Sequence, residues 1–250
     1  MTTYNRVVSL GDFPAGGSIG AASATWDVAD TIVIQQNTAS KLLTFATPTY
    51  NGFPVFGRVV NSGTARLWTP YKRMIPSRGA AWFMWLPTVG WSACDLGVQV
   101  LAESGLAQAY PTDTNANDIT LITIPGGFLG TNDAVQYKYL VDNTSGTSSK
   151  TLVAKFGGSA ISSNSGILNS VIYAWANDKT IRNANSISAQ TGSASGLGND
   201  VAIGGVTVAS VLSLSVNTAN DVACAINVQK GTGSDVTTLR YYEVIYHPAP

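Results

Sequence analysis

Apolar and polar positions alternate with period two along much of this chain. Val222, Cys224, Ile226 and Val228 alternate with Ala223, Ala225, Asn227 and Gln229. Leu212, Leu214 and Val216 alternate with Ser213 and Ser215, and Val135, Tyr137, Tyr139 and Val141 with Gln136, Lys138 and Leu140. Successive side chains of a strand point to opposite faces, so each run has one apolar face and one wetter one. The pattern predicts antiparallel sheets packed face to face. Turn signals break the runs at Asn51-Gly52, Pro125-Gly126-Gly127, Gly157-Gly158 and Gly231-Thr232-Gly233. No helical repeat persists for three turns, so at most one or two short helical turns are expected. The segment from Asp95 to Ala109 has the weakest pattern.

Texture divides the chain in two. Residues 1–91 hold Pro48, Pro54, Pro70, Pro76 and Pro87 and the aromatic cluster Trp82, Phe83 and Trp85. This is read as a smaller β-rich domain for attachment and trimerisation. Residues 92–250 hold longer, cleaner runs with Ser/Asn/Gly loops and are read as a jelly-roll-like antiparallel β-sandwich. The stretch from Gln190 to Asp200 has little to bury and is expected to be a flexible loop. No heptads occur, so no coiled-coil stalk is expected.

A chain of 250 residues can bury an ordinary core without staples. It carries no net formal charge, and only 11% of its residues are charged. That excludes a basic footprint for nucleic acid and a polybasic membrane contact. Low charge suits a subunit partly buried in an assembly. Glutamate occurs only at Glu103 and Glu243, consistent with a chain poor in helix formers. The first residues lack a signal-peptide pattern, and the densest apolar stretch, Ala80 to Leu86, is too short to span a membrane. Cys94 and Cys224 are too far apart in sequence to imply a disulfide and are read as buried free thiols.

The chemistry of catalysis is scarce. The one histidine, His247, cannot make a two-histidine metal site and is read as a strand-end residue. Gly192 to Gly196 misses the nucleophile elbow, because Ala194 stands at its centre. No phosphate-binding glycine loop is present. Asp12, Asp133, Asp142 and Asp235 lie beside turn residues, where aspartate caps its own backbone. Asp113-Thr114-Asn115-Ala116-Asn117-Asp118 places oxygens at alternate positions as a calcium loop does, but Asp118 and Ile124 stand where an EF-hand needs glycine and glutamate. Calcium at Asp113 to Asn117 is left open. Trp68, Trp82, Trp85 and Trp91 fit an inner sheet face, a sugar site or, preferentially, a subunit interface. Trp82 and Trp85 are three apart, so in a regular strand they face opposite sides. No enzyme and no cofactor are expected.

Several segments resemble bacteriophage virion surface proteins of the capsid decoration, head-fibre and tail-fibre type. The run Ile124-Pro125-Gly126-Gly127-Phe128-Leu129-Gly130-Thr131-Asn132-Asp133, then Lys150 to Gly158, then Ile181-Arg182-Asn183 with Gln190, and the closing Leu239 to Val244 resemble a jelly-roll-like domain of that group. The resemblance covers roughly residues 92 to 250. Upstream, Gly16 to Gly20, Ile34 to Thr38, Val59 to Gly63 and Phe83 to Trp85 look like a small β-module of phage fibres. The insertion from Tyr71 to Arg78, with Lys72, Arg73 and Arg78, departs from that module.

The resemblance implies a symmetric oligomer, expected to be a homotrimer, on a virion surface and no conserved catalytic set. A capsid cement or decoration protein is expected, with the major capsid protein as partner and Lys72, Arg73 and Arg78 as its contact. The alternatives are a receptor-binding fibre tip or short tailspike reading a host surface glycan through the loops Asp142 to Ser149 and Gln190 to Gly198, and a carbohydrate-cleaving tailspike.

Overall fold

The computed structural model describes residues 7–19, 30–38, 41–48, 55–145, 148–167, 173–193 and 211–249. The Asn51-Gly52 turn and residues 194–200 of the glycine-serine loop lie outside them, as do 146 and 147. All regular elements among the described residues are strands. The chain divides into two compact units, Met1–Gly97 with Pro125–Phe128, and Val98–Ile124 with Leu129–Pro250.

The first unit holds β1 (Val7–Leu10), β2 (Gly17–Ile19), β3 (Thr31–Ile34), β4 (Leu43–Phe45), β5 (Val55–Asn61), β6 (Leu67–Thr69), β7 (Arg73–Ile75), β8 (Ala80–Leu86) and β9 (Gly90–Ala93). Five of these form one sheet in the order β1-β3-β5-β8-β9, and β2-β4 and β6-β7 form ribbons. Antiparallel pairing throughout does not hold here. β1 with β3, β3 with β5, and β2 with β4 are parallel. Each of those pairs is joined by a long connection rather than a tight turn, which is what parallel neighbours require. The core collects Ile19, Ile32, Ile34, Phe45, Val59 and Phe83. Phe45 sits edge-on to Phe83 at 4.7 Å and to Trp91 at 5.4 Å. The indole of Trp91 donates to the Ala46 carbonyl at 2.9 Å, so its polar atom is satisfied where its ring is buried.

The loop after β5 is locked by backbone proximity. Buried Gln36 accepts from the Phe13 amide and donates to the Thr38 carbonyl. A Cβ on Gly63 would stand 1.9 Å from the Gln36 carbonyl oxygen, so only glycine fits there. Asn61 donates to the Ala65 carbonyl at 2.7 Å and accepts from the Gly63 amide.

The second unit holds β10 (Gln99–Ser104), β11 (Gln108–Ala109), β12 (Asn117–Ile124), β13 (Ala134–Ser145), β14 (Ser149–Phe156), β15 (Ser159–Ile167), β16 (Tyr173–Asn183), β17 (Gln190–Ser193), β18 (Val211–Leu214), β19 (Val222–Lys230) and β20 (Val236–His247). One sheet runs β10-β20-β13-β16-β17-β18 with β11 beside β20; the other runs β12-β19-β14-β15. All their pairings are antiparallel, and the architecture is sandwich-like with no closed barrel. The weakly patterned segment from Asp95 to Ala109 supplies β10 and β11. Tyr137, Tyr139 and Val141 alternate inward from β13, and Leu152, Ala154 and Phe156 from β14. Two buried phenols cross between the sheets: Tyr110 donates to the Ile226 carbonyl at 3.0 Å and Tyr137 to the Lys155 carbonyl at 3.4 Å.

The sequence motifs at this end of the chain are corner pieces. Gly127, Gly157 and Gly158 take positive φ in the turns before β13 and β15, where a side chain would be strained. Asn183 donates to the Gly130 carbonyl at 2.7 Å and accepts from Gln190, whose amide also bridges to the Val216 backbone in both directions. These bonds fasten the β16–β17 corner to the turn that precedes β13.

Candidate functional site

The basic insertion forms two consecutive turns. β6 pairs with β7 through Trp68 opposite Met74 and Thr69 opposite Arg73, and the Thr69 hydroxyl donates to the Arg73 carbonyl at 2.8 Å. Lys72 at the first turn and Arg78 at the second both have φ 56°, in the left-handed region. Lys72 is half-buried and Arg78 exposed. Arg73 is drawn away from them: its guanidinium lies 3.2 Å from the Asp95 carboxylate, and its Nε is buried without a hydrogen-bond partner. Of the three cations, then, Arg78 is exposed, Lys72 is half-buried, and the guanidinium of Arg73 is held in an ion pair. A left-handed non-glycine residue costs about 1 kcal/mol. Arg78→Gly is thus expected to raise stability by up to about 1 kcal/mol, less the added freedom of the unfolded chain; urea denaturation measures it.

Three of the four candidate interface tryptophans are core residues. Trp68, Trp85 and Trp91 are 4%, 6% and 9% exposed, whereas Trp82 is 52% exposed. Trp68 packs edge-on against Phe128 at 4.8 Å. β8 alternates regularly, so Trp85 enters the core with Phe83 while Trp82 faces out. Only Trp82 remains for a contact beyond the protomer.

Asp113 opens a turn and Asp118 lies in the strand that follows, each carboxylate with partners of its own. Asp113 accepts from the Asn115 amide and the Asn117 side chain. Those hydrogen bonds, the Asn117 one foremost, hold its carboxyl below the usual carboxylate value. Asp118 belongs to β12, where it accepts from Lys155 at 2.9 Å and from Asn227 at 2.6 Å. No group of three His, Cys, Asp or Glu residues placed to hold a metal exists among the described residues.

Other carboxylates are also spent on structure, and not chiefly as caps of their own turns. Asp12 receives the Thr38 hydroxyl and the amides of Asn37 and Thr38. Asp142 pairs with Arg240 at 2.5 Å. Asp133, 1% exposed, accepts from the Gly130 amide, the Tyr246 hydroxyl and the Ala249 amide. Cys224 is buried and its thiol is pushed up to about 12 by burial, but Cys94 is exposed, against the expectation of two buried thiols.

The sequence reading missed a buried charge cluster at one end of the second unit. Lys150 and Lys230 are direct cross-strand partners in β14 and β19, 1% and 2% exposed. Asp235, 1% exposed, lies 2.7 Å from the Lys150 ammonium. Its carboxylate also accepts from Ser148 and Thr232. Lys150 donates to the Ser148 carbonyl and Lys230 to the carbonyls of Pro111 and Asp235. The cluster ties together the Pro111, Ser148 and Gly231 loops.

His247 closes β20 beside Gln136, ring Nε2 to Oε1 2.9 Å. Partial burial, then the positive charges of Arg182 and Lys138, lower its pKa below 6.5. The folded state therefore favours the neutral ring. Its contribution is present above pH 6.5 and is lost as pH falls through the lowered folded value. His247→Gln is expected to flatten the stability–pH curve in that window, read by thermal melts between pH 4 and 8.

No protein-family model and no curated protein matches the chain. Two solved structures of infectious bursal disease virus are similar to it. The Gx strain chain is 13% identical with a TM-score of 0.26, over 84% of this chain and 64% of that one. The Gt strain chain is 14% identical with a TM-score of 0.22, over 71% and 55%. The chain thus spans less than two thirds of either length, and scores this low do not establish a common fold. The bacteriophage affiliation implied by the sequence motifs, with its head-fibre and tail-fibre associations, is corrected on this point: the virus found is not a bacteriophage. Gly127, Asp133, Gly157, Asn183 and Gln190, which carried the resemblance, have structural work in the turns and corners of this chain.

Proposed function

We propose that the chain is a non-catalytic structural protein of a virus particle, a decoration subunit that binds and stabilises the outer capsid surface. The observation that carries this reading is the strand order of the second unit. With β11, β17 and β18 set aside, its strands alternate between sheets as β10-β20-β13-β16 and β12-β19-β14-β15. That is the order of a jelly roll, an arrangement used by viral capsid domains among others. Fold alone does not fix function. The use of charge adds support: the buried Lys150, Lys230, Asp133 and Asp235 of the second unit hold loops and strand ends in place.

The capsid contact in this reading is the pair of turns carrying Lys72 and Arg78. Cosedimentation with capsids that lack the protein tests it. The wild type is expected to pellet with the capsids, and more weakly as salt rises, because exposed charges are screened. The double variant Lys72→Gly/Arg78→Gly keeps the backbone of both turns and is expected to bind at least about tenfold more weakly, about 1.4 kcal/mol. Failure of the wild type to pellet would reject the capsid-binding reading. Equal binding by the variant would move the contact elsewhere.

A further inference from the structure

We infer that β10 is a releasable strap, whose hold on β20 is set by whether the charge of Glu103 is compensated. This inference does not rest on the capsid reading. β10 stands at the end of its sheet, and among the described residues β20 is the only strand it pairs with. The register shifts between Val100 and Ala102, an irregularity that disrupts the ladder locally. Beyond it Glu103 stands directly opposite Glu243. These are the two glutamates of the chain. Residues directly opposite in an antiparallel pair share a face, with Cβ atoms about 5 Å apart, and like charges there oppose pairing. The Tyr241 phenol is pushed up by burial, then by its bond to Glu243 and the charges of Glu243 and Glu103, so both carboxylates lie on its side of the sheet.

The rest of that row does not relieve Glu103. It continues through Lys138 of β13 to Asp178 of β16, so three carboxylates share one ammonium. Lys138 lies 3.3 Å from the Glu243 carboxylate, which also accepts from the Tyr241 hydroxyl at 3.2 Å. Asp178 accepts from the Gln136 side chain. Glu103 is exposed, and no cation pairs with it among the described residues. What holds the strand down is burial of Gln99, Leu101 and Ala102 in a strand of six residues. β10 is also the strand that the chain enters on leaving the first unit, between Gly97 and Val98. Its release adds up to about 20 Å of extended chain to that connection. A cation brought to Glu103 screens the pair and fastens the strap.

Hydrogen exchange of the full chain at neutral pH, resolved by residue, tests the inference. In the wild type the β10 amides that pair with β20 are expected to exchange faster than those of β13, through an opening that leaves the rest of the unit folded. Glu103→Lys sets an opposite charge against Glu243 and is expected to slow β10 exchange about two- to fivefold. Glu103→Gln should act in the same direction and less strongly. Raising salt to about 0.5 M should slow β10 exchange in the wild type and not in Glu103→Gln. Ser163→Lys, on an exposed position of the other sheet, should leave β10 exchange unchanged. Circular dichroism melts confirm that each variant folds. β10 amides as protected as those of β13 in the wild type, no slowing in Glu103→Lys, or equal slowing in Ser163→Lys would each overturn the assignment.

Discussion

Asp235→Ala is expected to destabilise the second unit by about 3–5 kcal/mol, the cost of breaking a buried ion pair by removing one partner. The reason is the imbalance it creates. Lys150 and Lys230 face each other across two strands, each at most 2% exposed. Asp235 is the carboxylate that the buried Lys150 ammonium meets, at 2.7 Å. Without it Lys150 stays buried with only the Ser148 carbonyl as a described partner. Thr232 also loses its acceptor, and Ser148 is left with the Ser149 carbonyl at 3.4 Å. The double variant Lys150→Met/Asp235→Leu removes both charges and should recover most of the loss, because matched apolar replacements of a buried pair are often neutral. Urea denaturation separates the cases; a loss below about 1 kcal/mol for the single variant would show that the pair is not structural. Burial raises the Asp235 carboxyl, but hydrogen bonds from Lys150, Ser148 and Thr232 outweigh it and leave its pKa below 3.8. Its stabilisation is therefore complete above that value and fades as pH falls through the lowered one. In Asp235→Ala that acid-side loss should shrink.

Asp133→Ala is expected to cost about 3–5 kcal/mol, because it removes the shared acceptor of three buried or part-buried donors, at about 1–3 kcal/mol each. The carboxylate gathers the Gly130 amide and Tyr246 hydroxyl, both at 2.6 Å, and the Ala249 amide at 2.7 Å. The Asn183 amide donates to the Asp133 carbonyl beside them. One side chain thus fixes the turn before β13 and the chain beyond β20. Tyr246→Phe removes one of those bonds and should cost about 1–2 kcal/mol. Hydrogen exchange gives an independent readout: in Asp133→Ala the amides of Gly130 and Ala249 should lose protection before those of β13. Protection of Ala249 equal to the wild type would contradict the clamp.

Strand alternation was legible wherever a strand has one wet face. The run 135–141 appears as β13 with its apolar members inward; the run 222–228 appears as β19, where Ala225 and Asn227 of the other face are buried too. Trp82 and Trp85 separate to opposite faces for the same reason. The parallel neighbours of the first unit were not legible, because alternation says which face a side chain takes and nothing about which strand lies beside it. The subunit-interface reading of four tryptophans needed the course of the ribbons: Trp68 is buried because β6 folds back under the Phe128 turn. Arg73 was read as a free cation because Asp95, its partner, lies two strands later in the chain. The Lys150–Asp235 cluster did leave a trace. Lys150 continues the inward register of Leu152, Ala154 and Phe156, and Lys230 that of Ile226 and Val228. A charged residue in an inward position requires a buried partner. The partner, Asp235, had been assigned to its own turn, which it also serves through Thr232.

The motifs that resembled phage proteins show why local sequence is a weak guide to affiliation. Positive φ at Gly157 and Gly158 and the Asn183–Gln190 bond are demands of a tight corner, whatever particle the corner belongs to. Exposed residues such as Arg78, Phe56 and Trp82 are under no such constraint.

Cryo-electron microscopy of intact particles, with a label placed at Leu106 in the second unit, decides whether this protein decorates a shell. Leu106 is 76% exposed, so the label does not disturb the core. Label density repeated over the outer capsid surface, with the Lys72–Arg78 turns against the shell, is the expected result. Particles without the label, or label confined to an appendage away from the shell, would contradict a capsid decoration protein.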